Sequence, residues 1–192
     1  MKNEFLDDLV EALIHGELFS PGGMPLIRGG ADSPIAYDGD PSLFTNNDAK
    51  ARNRPGTIVR LLDKEYVYVQ YNSAGATVPV VGAPAYLVGL SPVQVSANRA
   101  EAQSTTINDV IGVIGNVITN LYYGWIQKTG NFVGLIDTAG GGNVGDTIIG
   151  SVTANQTARV ALNTAPTNVP IGITYTANAG GKCNARLIIP AS

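Results

Sequence analysis

The side chains able to do chemistry in this chain are few, and their spacing does not assemble a reaction centre. His15 is the single histidine, so a Ser-His-Asp or Cys-His relay would have to run through it. Its place at the end of an apolar-periodic stretch suits a plainer role, interaction with the dipole at a helix's carboxyl end. Cys183 is the single cysteine, which leaves no internal disulfide framework and no multi-cysteine metal site. Its expected role is a small buried or half-buried thiol. With one His and one Cys, zinc has no ligand set either. Asp109, Asp137 and Asp146 are carboxylates that folding could bring together for glycoside hydrolysis, although no spacing between them argues for it.

Two loops resemble ligand motifs without their context. Gly140-Gly-Gly-Asn-Val-Gly145 fits G-x-G-x-x-G, but a dinucleotide site needs an amphipathic helix next, and Asp146-Thr-Ile-Ile-Gly-Ser-Val-Thr153 is β-branched and broken by glycine. A surface turn is expected there. Asp38-Gly-Asp40 opens like a calcium loop, yet Leu43 stands where the sharp-turn glycine belongs and no Glu closes the loop. Asn155-Gln-Thr157 is a glycosylation sequon, read as an ordinary loop. The sequence therefore assigns no catalytic, cofactor-binding or metal-ligating residue.

Binding has more to work with. Lys50, Arg52, Arg54 and Arg60 place four of the twelve cations within eleven residues, either a clamp for an acidic partner surface or simply a solvated face. Upstream, Phe5, Leu6, Leu9, Val10, Leu13 and Ile14 recur at helical spacing with Gly16 as a stop, which predicts one short amphipathic helix. Its apolar stripe, with Phe5, Leu9 and Leu13 central, would either dock on a partner or pack on its own domain.

The elements that must carry these residues are mostly strands. The chain has 192 residues, of which 14% are charged, with a formal net charge of −3; this is no basic field for nucleic acid. No apolar run approaches the ~20 residues of a membrane span, and the start lacks the order of a signal peptide. Gly 23 and Pro 11 predict short strands and many turns. Residues 20–55 are dense in Pro, Gly, Asp and Asn, so residues 1–55 read as a helix plus extended arm, ordered by contacts with other chains. Residues 56–104 read as a small β unit and connector. Its strands are Thr57–Leu62, the alternating Tyr66–Tyr71, Val78–Val81 and Ala85–Val88, with a connector or short helix from Val95 to Thr106. Residues 105–192 read as a C-terminal β domain seeded by Tyr123–Lys128 and Phe132–Ile136, with Thr129-Gly130-Asn131 as a tight hairpin turn between them and further apolar runs at Val110–Gly115, Val117–Thr119, Thr147–Ile149, Ala158–Leu162, Ile171–Tyr175 and Ala185–Ile189. The fold expected is mainly β, a small antiparallel sandwich or barrel with an extended N-terminal arm.

At Tyr123-Gly124-Trp125-Ile126-Gln127, then Val144-Gly145-Asp146-Thr147-Ile148 and Pro170-Ile171-Gly172-Ile173, the C-terminal half resembles the capsid decoration, or cement, proteins of tailed bacteriophages. In that group a Tyr-Gly-aromatic-aliphatic-Gln strand precedes a Gly-Asp turn and an Ile-Gly-Ile strand. The resemblance covers roughly residues 105–192. It implies a β-rich domain on the capsid exterior of the virion, bridging subunits of the major capsid protein, usually as a symmetric oligomer, a trimer or dimer. It also implies synthesis in the host bacterial cytoplasm and brings no catalytic residue. Residues 1–55 lie outside it, so capsid contact by the arm is an inference from composition. A receptor- or carbohydrate-binding β module of a tail spike or fibre is the first rival, to be marked by clustered exposed aromatics. A virion-associated hydrolase using Asp109, Asp137 or Asp146 is the second.

Overall fold

The structure, a computed structural model, describes residues 17–19, 25–28, 47–61, 63–89, 91, 93–102, 110–137, 142–166 and 169–189. These are mainly β, with no helix among the described residues. The amphipathic helix expected over Phe5 to Ile14 lies outside them. Within the arm, β1 (Glu17–Phe19) and β2 (Pro25–Arg28) pair antiparallel as a separate small sheet. Such short strands suit a stretch crowded with turn formers.

Ten further strands form one continuous sheet: β3 (Ile58–Leu61), β4 (Lys64–Tyr71), β5 (Pro84–Leu87), β6 (Gln94–Ser96), β7 (Val110–Ile114), β8 (Tyr123–Ile136), β9 (Thr147–Gly150), β10 (Thr157–Val160), β11 (Gly172–Thr174) and β12 (Lys182–Ile188). Five of them close a ring. β4 pairs with β6, β6 with β5, β5 with β7, β7 with β8, and β8 returns to β4. The β4–β6 pair is parallel, a departure from the all-antiparallel expectation. Parallel neighbours need a long crossover, and residues 72–93, which carry β5, supply it. The lumen of this barrel is filled by Val67, Val69, Tyr71, Ala83, Ala85, Val95, Ala97, Ile111, Ile114, Ile118 and Ile126.

The expected hairpin at Thr129-Gly130-Asn131 is not formed. β8 runs straight through it for 14 residues. Gly130 does adopt φ +87°, as a turn residue would, but here the torsion bends a strand. Before the bend β8 pairs with β4, from Tyr123 to Thr129; from Thr129 to Ile136 it pairs with β12. Gln127 spans the bend, its Nε2 donating to the carbonyls of Thr129 (2.9 Å) and Asn131 (3.1 Å). A Cβ at Gly130 would stand 2.6 Å from the Asp63 carbonyl oxygen, so the bend admits only glycine. Long-range pairing on both sides thus overrides local turn chemistry.

The second half of β8 leads an outer sheet in the order β8-β12-β11-β9-β10. Its inner face covers the outside of the barrel at β5 and β7, and Phe132, Leu135, Ile148, Ile171, Cys183, Ala185, Leu187 and Ile189 meet Tyr86, Val110 and Val113 there. β5 and β7 are therefore sandwiched, with Ala85 and Ile111 in the lumen and Tyr86 and Val110 against the outer sheet. The strands of 56–104 and those of 105–192 are hydrogen-bonded to each other through β4–β8 and β5–β7. Val78–Val81 is not a strand, because Pro79 has no donor and the Val80 N–H goes to Asn155 Oδ1 (3.2 Å). Val117–Thr119 is a loop as well, and β6 occupies part of the stretch read as a connector.

Candidate functional site

On the outer face of the barrel, β4 and β8 present Tyr68, Tyr123 and Trp125 as a packed group. Tyr68 and Trp125 have ring centroids 5.0 Å apart at 56°, and Tyr68 and Tyr123 stack 6.1 Å apart at 15°. Trp125 is buried, as its place in the most aromatic strand suggests. The alternation of β4 correctly puts Tyr66 and Tyr68 on one face, but that face is not solvated. Both tyrosines are buried, and so are Val67 and Val69 behind them.

Residues 47–57 lie against this group. Asp48 exchanges both backbone hydrogen bonds with Tyr123 (2.9 Å each), and the Asn47 side chain binds Thr119 through Nδ2 to Oγ1 (2.8 Å) and Oδ1 from the amide (2.7 Å). Asp48 is buried; its Oδ2 accepts from the Tyr68 hydroxyl (2.9 Å) and its Oδ1 meets Arg52 Nε (2.8 Å). The Arg52 amide donates back to the Tyr68 oxygen (3.3 Å). Burial drives the Tyr68 phenol well above its ordinary range, and the Asp48 carboxylate adds to the effect, so the hydroxyl stays a neutral donor. Further on, the Gly56 amide donates to the Tyr68 carbonyl (2.7 Å). The last part of the presumed arm is thus clasped to the chain's own barrel.

This clasp brings three of the expected partner-contact residues together. Lys50, Arg52 and Arg54 are all exposed on the fastened segment. Lys50 and Arg54 make no ion pair among the described residues, whereas Arg52 spends part of its charge on Asp48. Arg60, on β3, points to solvent and pairs with Glu65 (2.9 Å), which also lies 3.8 Å from buried Lys128. Phe5, Leu9 and Leu13 lie outside the described residues, as do His15, Asp38, Asp40 and Asp109.

Asp137 and Asp146 do converge, but around a cation that sequence reasoning did not place between them. Arg159, on β10, is buried between the two; its Nε bonds Asp137 Oδ2 and its Nη1 lies 3.4 Å from Asp146 Oδ2. Nη1 also reaches the Asn143 carbonyl (3.3 Å), and Asn178 Nδ2 donates to Asp137 (2.8 Å). A Cβ at Gly142 would collide with the guanidinium, so a side chain there would have to displace Arg159. Asp146 titrates below its ordinary value, chiefly because the Asn143 amide donates to it (2.7 Å), with help from the Leu162 amide (3.1 Å) and Arg159. A carboxylate held ionised in this way is unsuited to be the protonated acid of glycoside hydrolysis. Cys183 is buried nearby, its thiol pushed up by burial.

The described part of the glycine-rich run closes as a turn in front of a strand. Asp146 caps Asn143 there and β9 follows, so no helix end is available for a pyrophosphate. Among the described residues no group of three His, Cys, Asp or Glu side chains could hold a metal ion, and no helix is long and apolar enough to cross a membrane. Compared with known proteins, the chain matches no family model and no curated protein.

Proposed function

We propose that the protein is an accessory capsid decoration protein of a tailed bacteriophage, a virion structural component that binds the outside of the head and strengthens contacts between major capsid subunits. The observation that carries this reading is the clasp. Asp48, Tyr68 and the Tyr123 backbone hold residues 47–57 on the barrel surface, so Lys50, Arg52 and Arg54 form an outward shelf at the foot of the N-terminal arm. A cationic shelf that follows an apolar stretch in the sequence suits contact: charge steers the encounter and buried apolar anchors hold it. Phe5, Leu9 and Leu13 would be those anchors. The likeness of residues 105–192 to decoration proteins supports the same reading, and assembly as a trimer or dimer on the shell goes with it. The carbohydrate-binding alternative draws less support, because Tyr66, Tyr68, Tyr71, Tyr86, Trp125 and Phe132 are buried rather than displayed.

The test compares heat release of DNA from phage heads carrying the full-length protein, protein lacking residues 1–46, or none. That cut spares Asn47 and Asp48, so the body keeps its clasp. A protein that binds only the assembled lattice stabilises it by mass action. Full-length protein should therefore raise the release temperature, and the truncated form should fall off the particles. Equal release temperatures in all three samples, with full-length binding confirmed, would overturn reinforcement.

A further inference from the structure

Leu121 sits in a conformation that its own side chain disfavours. Its φ is +67°, the left-handed region in which a Cβ crowds the following carbonyl and which glycine or asparagine enters more readily. Four hydrogen bonds enforce it. The Leu121 amide donates to the Tyr71 carbonyl (2.7 Å), its carbonyl accepts from Gln70 Nε2 (3.0 Å), the Tyr122 amide returns to Thr119 (2.9 Å), and Asn120 Oδ1 accepts from the Ser73 amide (2.8 Å). On either side Ile118 and Tyr122 pack into the barrel core, while Leu121 remains 56% exposed and Val117 42% exposed. The strain thus brings no burial to Leu121 itself. An isolated exposed leucine is unremarkable; one held outward in a strained backbone by a rigid loop points to a use outside the chain.

The neighbours specify that use. Asn47 binds Thr119 and Asp48 ladders with Tyr123, so the shelf bearing Lys50 and Arg54 lies directly beside the 117–122 loop. Those two cations have no carboxylate partner among the described residues, on a chain whose formal net charge is −3. We infer that Leu121 and Val117 form an apolar knob rimmed by Lys50 and Arg54, and that it docks into an apolar socket flanked by carboxylates on a partner protein. Such a centre-and-rim arrangement matches the anatomy of specific interfaces. The inference rests on the proposed capsid role only for the partner's identity; its chemistry is read from the loop and shelf.

Leu121→Gly separates docking from folding, because it removes the knob and relieves the backbone. Fluorescence anisotropy with a labelled random copolymer of glutamate and leucine, against polyglutamate, reports the chemistry without any capsid. Wild-type protein should prefer the copolymer. L121G should bind it roughly tenfold more weakly, the effect of losing a buried leucine contact, at an unchanged or higher melting temperature. K50E/R54E should weaken binding to both polymers and flatten the salt dependence. Equal copolymer binding by wild type and L121G, or none by wild type, overturns the inference. So does sedimentation showing that wild type self-associates through this loop and L121G does not, since the occupant would then be a second copy. Stripped phage heads as a separate probe test the capsid role: wild type that binds copolymer but not heads keeps the knob and sinks that role.

Discussion

Two charged clusters among the described residues use the same groups in opposite arrangements. In the clasp one aspartate, Asp48, is buried and its arginine, Arg52, keeps 47% of its side chain in solvent. In the outer sheet the arginine, Arg159, is buried and two aspartates close over it. The first can exchange its cation for water at small cost, because an exposed guanidinium gains little from one ion pair. The second has no water to turn to, so its charges stand or fall together. The segment that carries the exposed cations is fastened loosely in charge and firmly in backbone; the outer sheet is locked by charge in its interior.

Arg159→Ala gives the sharpest break in that comparison. It leaves Asp137 and Asp146 buried without their cation and should cost on the order of 3–5 kcal/mol by denaturant titration; a loss under about 1 kcal/mol would mean the site floods with water. The pH dependence follows from Asp146. Its folded value lies below the ordinary 3.8, so its contribution is complete above that pH and disappears as pH falls through the lower folded value. R159A should shallow this acid limb, since only the Asn143 and Leu162 amides would still hold Asp146 ionised.

Asp48→Ala comes next. It strips Tyr68 of its buried acceptor, for about 1–3 kcal/mol, and should expose the chain near residue 55 to limited proteolysis. Unchanged protease resistance would show that the Tyr123 backbone ladder suffices alone. Arg52→Ala should fall within about 1 kcal/mol and leave the proteolysis pattern as it is; a larger loss would make the clasp resemble the Arg159 cluster after all.

Much of the sheet was legible from runs of β-branched and aromatic residues, including β3, β4, β5, β7 and the four strands that follow β8 in the outer sheet. Burial on both faces of β4 was not, because alternation between tyrosine and valine looks the same whether the second face meets water or another layer. β6, Gln94-Val95-Ser96, carries no periodicity to read and exists because β4 and β5 flank it. At Gly130 the local residues gave a true torsion and a false topology. For the candidate site, Lys50, Arg52 and Arg54 were found by density of charge, whereas Asp48 looked like one more turn residue and Arg159 like an ordinary polar position on a strand. Leu121 left no trace, since a backbone torsion on a leucine has no sequence signature.

Because β8 is both a stave of the barrel and the first strand of the outer sheet, neither body can be taken apart without opening the other, and the two should melt as one. During synthesis the same sharing imposes an order. β4 emerges long before residues 123–129 can cover it, and until then its Tyr-Val-Tyr-Val-Gln-Tyr sequence offers an open edge of high β-propensity and no net charge. A chain interrupted between Tyr71 and Tyr123 is therefore left with an aggregation-prone strand that the intact protein keeps hidden.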